Sequence, residues 1–359
     1  MGHRKTRRIY DEKLTFENVY KAWRTVARTC KNRRGVFEFS LFAHARVWLI
    51  LQELKARRYW PNRFRCFMIF EPKPRLVMSQ SIRDKIVNHF VVDNYLLPLL
   101  ERTLIDANVA TRKKKGARAA HEMLRRYIAQ MQAERPGARI YVVKIDVSKF
   151  FYTIDHKALF ELLGRKIRDS DVLELVRRIV VETNKPYVNK IIIKFNRWYQ
   201  TDIPCYGQGK GLSIGAVVSQ FLAIFCLSEV DRKIKEVYKR RWFIRYMDDL
   251  VILGWSKVEL KQLMRLVEED LKTVRLKMNP KSAVYNLCSA TGVPFLGYRY
   301  RLDSRGRLRV VCLARTLRRI RRRLRLMRIY DPQKYVLAYE SYRGYFRYTA
   351  PLVRIKDAV

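Results

Sequence analysis

The segment Arg245-Tyr246-Met247-Asp248-Asp249-Leu250-Val251-Ile252-Leu253-Gly254 sets two consecutive carboxylates between the apolar runs Trp242–Ile244 and Leu250–Leu253. Aromatic and β-branched residues favour buried strands, so the pattern predicts a hairpin with acid at its tip. Burying adjacent carboxylates is costly unless something neutralises them, and a divalent cation would do so. An Asp-Asp turn that bonds its own backbone is the competing reading. A second strand-like run, Tyr141-Val142-Val143-Lys144-Ile145, leads into another acid, Asp146. Neighbouring strand residues point to opposite faces, so a turn must intervene for Asp248 and Asp249 both to converge on Asp146. Magnesium prefers oxygen ligands and keeps several waters, and one Asp from each strand plus phosphate oxygens would complete its shell. Two ions about 3.5–4 Å apart could then clamp the attacking and leaving oxygens of a phosphoryl transfer. Asp146 and Asp248 are the expected principal ligands, with Asp249 the third.

The charge of the rest of the chain points the same way. Lys and Arg number 76 against 33 Asp and Glu in 359 residues, a net charge of +43. Such an excess opposes compaction unless a polyanion offsets it, and duplex nucleic acid carries one negative charge per roughly 1.7 Å. The basic residues are spread through the chain rather than gathered on one amphipathic face, which argues against a membrane surface. With 48% hydrophobic residues the sequence is globular. The six cysteines are scattered without a Cys-x-x-Cys pair, so neither zinc nor a disulfide framework is expected and the thiols read as reduced and intracellular. Gly207-Gln208-Gly209-Lys210-Gly211 lacks the strand-to-helix phosphate-loop pattern. Met1-Gly2-His3-Arg4-Lys5-Thr6 fits a myristoylation pattern by chance, and no signal peptide is evident.

In chain order, residues 1–15 read as a basic mobile arm or a strand laid on nucleic acid, Phe16–Thr29 as a helix with Val19, Trp23 and Val26 on one face, and Ser40 as the cap of a helix carrying Leu41, Ala45, Trp48, Leu51 and Leu54. Trp48 is assigned to the core. Phe64–Met78 predicts two strands around a turn stiffened by Pro72 and Pro74, which holds Lys73 and Arg75 outward. Ile82–Leu100 and Leu159–Val181 read as helices. Arg112, Lys113, Lys114 and Lys115 precede Gly116 and a helix beginning near Ala119, a loop that offers charge and free amides to phosphate. Tyr187–Tyr199, with Ile191-Ile192-Ile193 between lysines, reads as a β-hairpin. Ser219-Gln220 is expected to start a helix over Phe221–Ile234, and Lys257–Val274 forms another. Beyond Leu313, arginines including Arg318 and Arg322 alternate with Leu317, Ile320 and Leu324 in an amphipathic helix, followed by one bearing Tyr335, Tyr339, Tyr342, Tyr345 and Phe346.

Four boxes in order carry a resemblance: Lys144-Ile145-Asp146-Val147-Ser148-Lys149-Phe150-Phe151, Leu212-Ser213-Ile214-Gly215-Ala216-Val217-Val218-Ser219-Gln220, Tyr246-Met247-Asp248-Asp249, and Phe295-Leu296-Gly297-Tyr298. Together they resemble a reverse transcriptase over nearly the whole chain. The second box is similar to the Ile-Gly-x-x-x-Ser-Gln form of diversity-generating retroelements, where most relatives have Gln-Gly-x-x-x-Ser-Pro.

The resemblance implies an α+β right-hand polymerase: an N-terminal extension and fingers over 1–137, a palm of antiparallel sheet packed on helices over 138–300, and a helical thumb over 301–359. It implies catalysis by Asp146, Asp248 and Asp249 with two Mg²⁺ ions, for which Mn²⁺ could substitute. Nucleotide contacts fall to Lys73, Arg75, Phe151 as a steric gate against ribose, Ile214, Gly215, Gln220 and Lys281. Template and primer contacts fall to Arg112–Lys115, Tyr246, Met247, Leu296 and Gly297 as primer grip, Arg318 and Arg322. An apolar Ile214 cannot make the hydrogen bond that Gln makes to the nascent base pair, and losing a contact of roughly 1–3 kcal/mol could relax base selection about tenfold.

The implied partners are an RNA template, a DNA or RNA primer, a structured template-repeat RNA and a small basic oligomeric accessory protein, in the cytoplasm of a bacterial or phage-infected cell. The end at Val359 leaves no room for an endonuclease or RNase H domain. The rivals are a reverse transcriptase of a group II intron, retron or defence system, a catalytically dead basic RNA-binding scaffold, and an RNA-dependent RNA polymerase.

Overall fold

The computed structural model describes residues 8–70, 73–346 and 349, apart from the side chains of 344 and 345. The myristoylation-like pattern, Pro72 and the Tyr345 side chain lie outside that range. Among the described residues nine strands form three sheets: β1 (Arg65–Ile69) with β2 (Arg75–Ser79); β3 (Tyr141–Ile145), β4 (Phe243–Tyr246), β5 (Asp249–Gly254) and β6 (Ala283–Asn286); and β7 (Val293–Phe295), β8 (Tyr298–Leu302) and β9 (Leu308–Cys312). The second sheet runs β4-β5-β3-β6 with every neighbour antiparallel.

Both faces of this central sheet are covered, which explains why its strands read as nearly unbroken apolar runs. Val143, Ile145, Leu250 and Ile252 pack into one core with the Val217–Cys226 and Lys257–Thr273 helices. Val142, Ile244, Val251 and Leu253 pack into a second with the Ala117–Glu134 helix and the β7–β9 sheet. The sheet is thereby fixed from both sides, and the loops at its acidic end inherit that rigidity. Two helices, Ala314–Tyr330 and Pro332–Phe346, follow β9 and pack around Ile320, Leu324 and Phe346. Among the described residues no helix is long and apolar enough to cross a membrane.

Phe16–Thr29 is a helix with Val19, Ala22, Trp23 and Val26 buried, capped by the Thr15 side chain. Elsewhere local patterns mislead. Ile9–Lys13 is a helix rather than an arm, because Ile9 and Tyr10 are buried and the Tyr10 hydroxyl donates to Leu54 O at 2.8 Å. Ser40 ends the Arg33–Ser40 helix, and the next helix starts at Ala43. Its buried stripe is Ala43, Val47, Ile50, Leu51 and Leu54, so Trp48 stands 52% exposed and is not core. The Leu159–Val181 reading divides into His156–Gly164 and Ser170–Val181, because Asp169 accepts from the Asp171 and Val172 amides and caps a new start. The helix expected over Phe221–Ile234 starts earlier, at Val217, and gives way at Cys226 to Ser228–Arg232 and a wider turn over Lys233–Val237.

The predicted hairpin at Tyr187–Tyr199 is instead a helix, Pro186–Tyr199. Proline suits a first helical position, and Val188 and Ile192, four apart, are the residues it buries. The isoleucine run is β-prone in isolation, but packing against Cys66 and Met68 of β1 overrides that preference.

Candidate active site

Register brings the acids together. β3 pairs Ile145 with Leu250, so Asp146, one residue beyond, meets the loop that joins β4 to β5. That loop is a two-residue turn, Met247-Asp248, closed by the Tyr246–Asp249 pair. Met247 has φ 56°, a left-handed conformation uncommon for a residue with a side chain. The Asp146 and Asp248 carboxyl groups both open onto one cleft, and the negative charge of Asp146 bears on Asp248. Burial, and then the negative charge of Asp249, push the Asp248 carboxyl up to about 6. The same two causes raise Asp146.

Asp249 is placed differently. It opens β5, and its Oδ1 lies 3.0 Å from Lys144 Nζ on β3. Among the described residues no group of three or more His, Cys, Asp or Glu side chains is gathered to hold a metal ion. The Asp146–Asp248 pair nevertheless suits Mg²⁺ chemically. Two oxygen-donor carboxyl groups line one cleft with the charge of a third acid beside them, and a divalent cation would relieve their repulsion. Water and phosphate oxygens would supply the remaining positions.

Three residues that sequence reasoning passed over hold this geometry. Asn279 grips Asp146 twice: its amide donates to Asp146 O at 2.7 Å and its Nδ2 to Asp146 Oδ2 at 2.8 Å. Ser282 Oγ accepts from the Asp146 amide at 3.1 Å. Arg245, fully buried, forks onto both oxygens of Asp231 at 2.7 and 2.8 Å and also donates to Met247 O at 2.9 Å and Ile224 O at 2.6 Å. It therefore ties the strained turn to the Val217–Cys226 helix. A lone Arg inside the apolar run Phe243–Tyr246 is the signal that could have flagged it; Asn279 left none, because its partner lies 133 residues away.

Truncating Asn279 to Ala is expected to lower nucleotide incorporation about tenfold or more, since a misplaced reacting group is that costly. Single-turnover rates over a nucleotide titration measure it, and an unchanged maximal rate would show the clamp to be dispensable.

The acids open into a cleft of about 1870 Å³. Lys73, Arg75, Lys281, Leu296, Gly297 and Arg322 line it together with the three acids, as do Lys144, Asn279, Arg315, Arg319 and Arg323. Leu296 (φ 44°) and Gly297 (φ 92°) form the tight turn between β7 and β8.

Other expected residues lie off the cleft wall. Phe150, buried in the core, reaches the cleft lining, and the half-buried Phe151 meets its ring edge-on at a centroid distance of 5.8 Å. Ile214 O accepts from the Met78 amide at 3.0 Å, tying that loop to β2. Gly215 (φ 119°) sits where a Cβ would come within 3.2 Å of Val77 and 3.4 Å of Met78 O, so it lets its loop approach β2 closely. Gln220 is half-buried on the Val217–Cys226 helix, and Tyr246 half-buried in β4. Arg112 turns inward, donating to Glu101 and to the Ile105 and Asn108 carbonyls, so it braces its own loop. Lys115 pairs with Asp106, while Lys113, Lys114 and Arg318 are exposed.

Residues 71–300 match the family model described as reverse transcriptase (RNA-dependent DNA polymerase). A curated protein of Saccharomyces cerevisiae, putative COX1/OXI3 intron 1 protein, is 23% identical over 285 residues, covering 64% of this chain and 32% of that protein. The chain thus spans about a third of the length of that relative. Two solved structures are similar: telomerase from Candida albicans in complex with a fragment of telomeric RNA, with TM-score 0.46, 12% identity and coverage of 76% of this chain and 50% of that one; and apo telomerase from Candida tropicalis truncated from its C-terminal domain, with TM-score 0.48, 11% identity and coverage of 75% and 60%.

Proposed function

Since the chain belongs to the reverse transcriptase family, we propose that it extends a primer 3′-hydroxyl with deoxynucleotides on an RNA template. The observation that carries this reading is the Asp146–Asp248 pair on the wall of a cleft lined by Lys73, Arg75, Lys281 and arginines of Ala314–Tyr330. Asp146 and Asp248 would hold Mg²⁺, which when bound supplies charge stabilisation to the attacking and leaving oxygens. Lys73 and Arg75 bind the triphosphate, Arg through its planar fork. Lys281 steadies the departing pyrophosphate, and the Leu296-Gly297 turn lets backbone approach the primer end. Phe150 on the cleft wall, with the ring of Phe151 packed edge-on against it, forms the aromatic barrier proposed to exclude a ribose 2′-hydroxyl. In-line phosphoryl transfer needs little covalent chemistry from protein, so orientation and charge account for the acceleration. Primer extension on primed RNA with deoxynucleotides against ribonucleotides tests the reading, and efficient ribonucleotide use would point instead to RNA synthesis.

The Ile-Gly-x-x-x-Ser-Gln box supports a finer reading: mutagenic copying of a template-repeat RNA, chiefly at adenines, with a small basic accessory protein. An intron-encoded lineage is the second reading, favoured by the name of the yeast relative. Ile214→Gln is expected to lower misincorporation opposite template adenine about tenfold, the worth of one restored polar contact. Sequencing of cDNA copies measures it; an unchanged adenine error rate would remove Ile214 as the cause of infidelity.

A further inference from the structure

The Pro186–Tyr199 helix has an outer face that its packing does not explain. Lys190, Ile193, Lys194, Arg197 and Trp198 recur at spacings of three and four, so they share one side, and all are exposed, Trp198 at 60%. Lys194 Nζ lies 4.2 Å from the Trp198 ring centroid. At the helix end Tyr199 meets Phe70 edge-on at 5.0 Å, and Phe70 lines the catalytic cleft. The same helix is stitched to the segment after it. Asn189 exchanges two hydrogen bonds with the Tyr206 backbone, and Asn196 bonds the Ile203 amide and carbonyl. That segment carries Asp202 and Pro204 to the cleft wall. The aromatic and basic stripe is therefore rigidly joined to the cleft rim.

Resting on the polymerase reading above, we infer that this stripe binds the unpaired template strand outside the cleft, its bases stacking on Trp198 and its phosphates meeting Lys190, Lys194 and Arg197. Aromatic faces interleaved with cations are what single-stranded nucleic acid recognises, and stacking on them tolerates any base sequence. Only an unpaired strand offers free base faces; the copied strand is paired. A second copy of the chain is a poor occupant, because both faces would be basic on a protein of net charge +43.

The test is fluorescence anisotropy of fluorescein-labelled DNA-primer/RNA-template duplexes, blunt or with a single-stranded 5′ template extension, in EDTA so that no chemistry is required. Wild type is expected to bind the extended duplex more tightly than the blunt one. Trp198→Ala should reduce that gain about tenfold, leaving blunt-duplex affinity unchanged, and Trp198→Phe should restore most of it. Equal affinity of wild type for both duplexes, or a loss in Trp198→Ala that is the same for both, would overturn the inference. So would concentration-dependent self-association in sedimentation that Trp198→Ala abolishes without any overhang effect. Failure of wild type to extend primers would instead count against the polymerase reading, and the binding assay is independent of it.

Discussion

Asp248→Asn is expected to stabilise the metal-free protein at pH 7.5 while reducing nucleotide incorporation by on the order of 10³-fold or more. Both effects have one origin. Burial and the charge of Asp249 place the Asp248 carboxyl at about 6 in the folded protein, whereas an unfolded chain titrates it near 3.9. Between those values the folded state holds a proton that the unfolded state has lost. Stability therefore falls as pH rises through this window and stays lower above it. The gap corresponds to on the order of 2–3 kcal/mol at pH 7.5. Asn carries no charge and removes that cost, but it cannot give a cation an anionic oxygen. Thermal melts in EDTA should show the variant's advantage at pH 7.5 and not at pH 4, and a variant melting below wild type at pH 7.5 would show that the acids are not in conflict.

The second large effect concerns the anchor behind the turn. Asp231→Ala leaves the guanidinium of Arg245 fully buried with no carboxylate partner, and breaking such a pair costs about 3–5 kcal/mol. Denaturant unfolding should show that loss. Replacing both residues with apolar ones, Asp231→Leu with Arg245→Met, should recover most of the stability, because two buried charges are then exchanged for packing. Incorporation should not recover, since the bond from Arg245 to Met247 O is gone and the Asp248 turn is unsupported. Recovery of both together would mean that Arg245 serves stability alone.

How much of this was legible in the sequence depends on how local the deciding interactions are. The acidic hairpin, β3 ending beside Asp146, the β1–β2 hairpin and the Phe16–Thr29 helix follow from periodicity and turn chemistry, and the structure contains each. Elements decided by distant partners do not. The isoleucines of Pro186–Tyr199 look like a strand until the far side of β1 is there to receive Val188 and Ile192. Trp48 looks like core until the helix start at Ala43 sets its phase. Within the site, residue type located the acids, but the pairing of Asp249 with Lys144 depends on the β3–β5 register, and Arg112 looks like a phosphate ligand until Glu101 takes it inward. Exposed charges such as Lys113 and Lys114 read identically whether they meet water or phosphate.

Asp146 and Asp248 act as one unit in the proposed nucleotide transfer. The most direct test is single-nucleotide extension of a labelled DNA primer on an RNA template, comparing wild type, Asp146→Asn, Asp248→Asn and the double variant with and without Mg²⁺. Wild type is expected to extend in a Mg²⁺-dependent manner, with near-equal, non-additive losses in all three variants. Extension that survives in Asp146→Asn, or wild-type extension indifferent to divalent cations, would contradict this joint role.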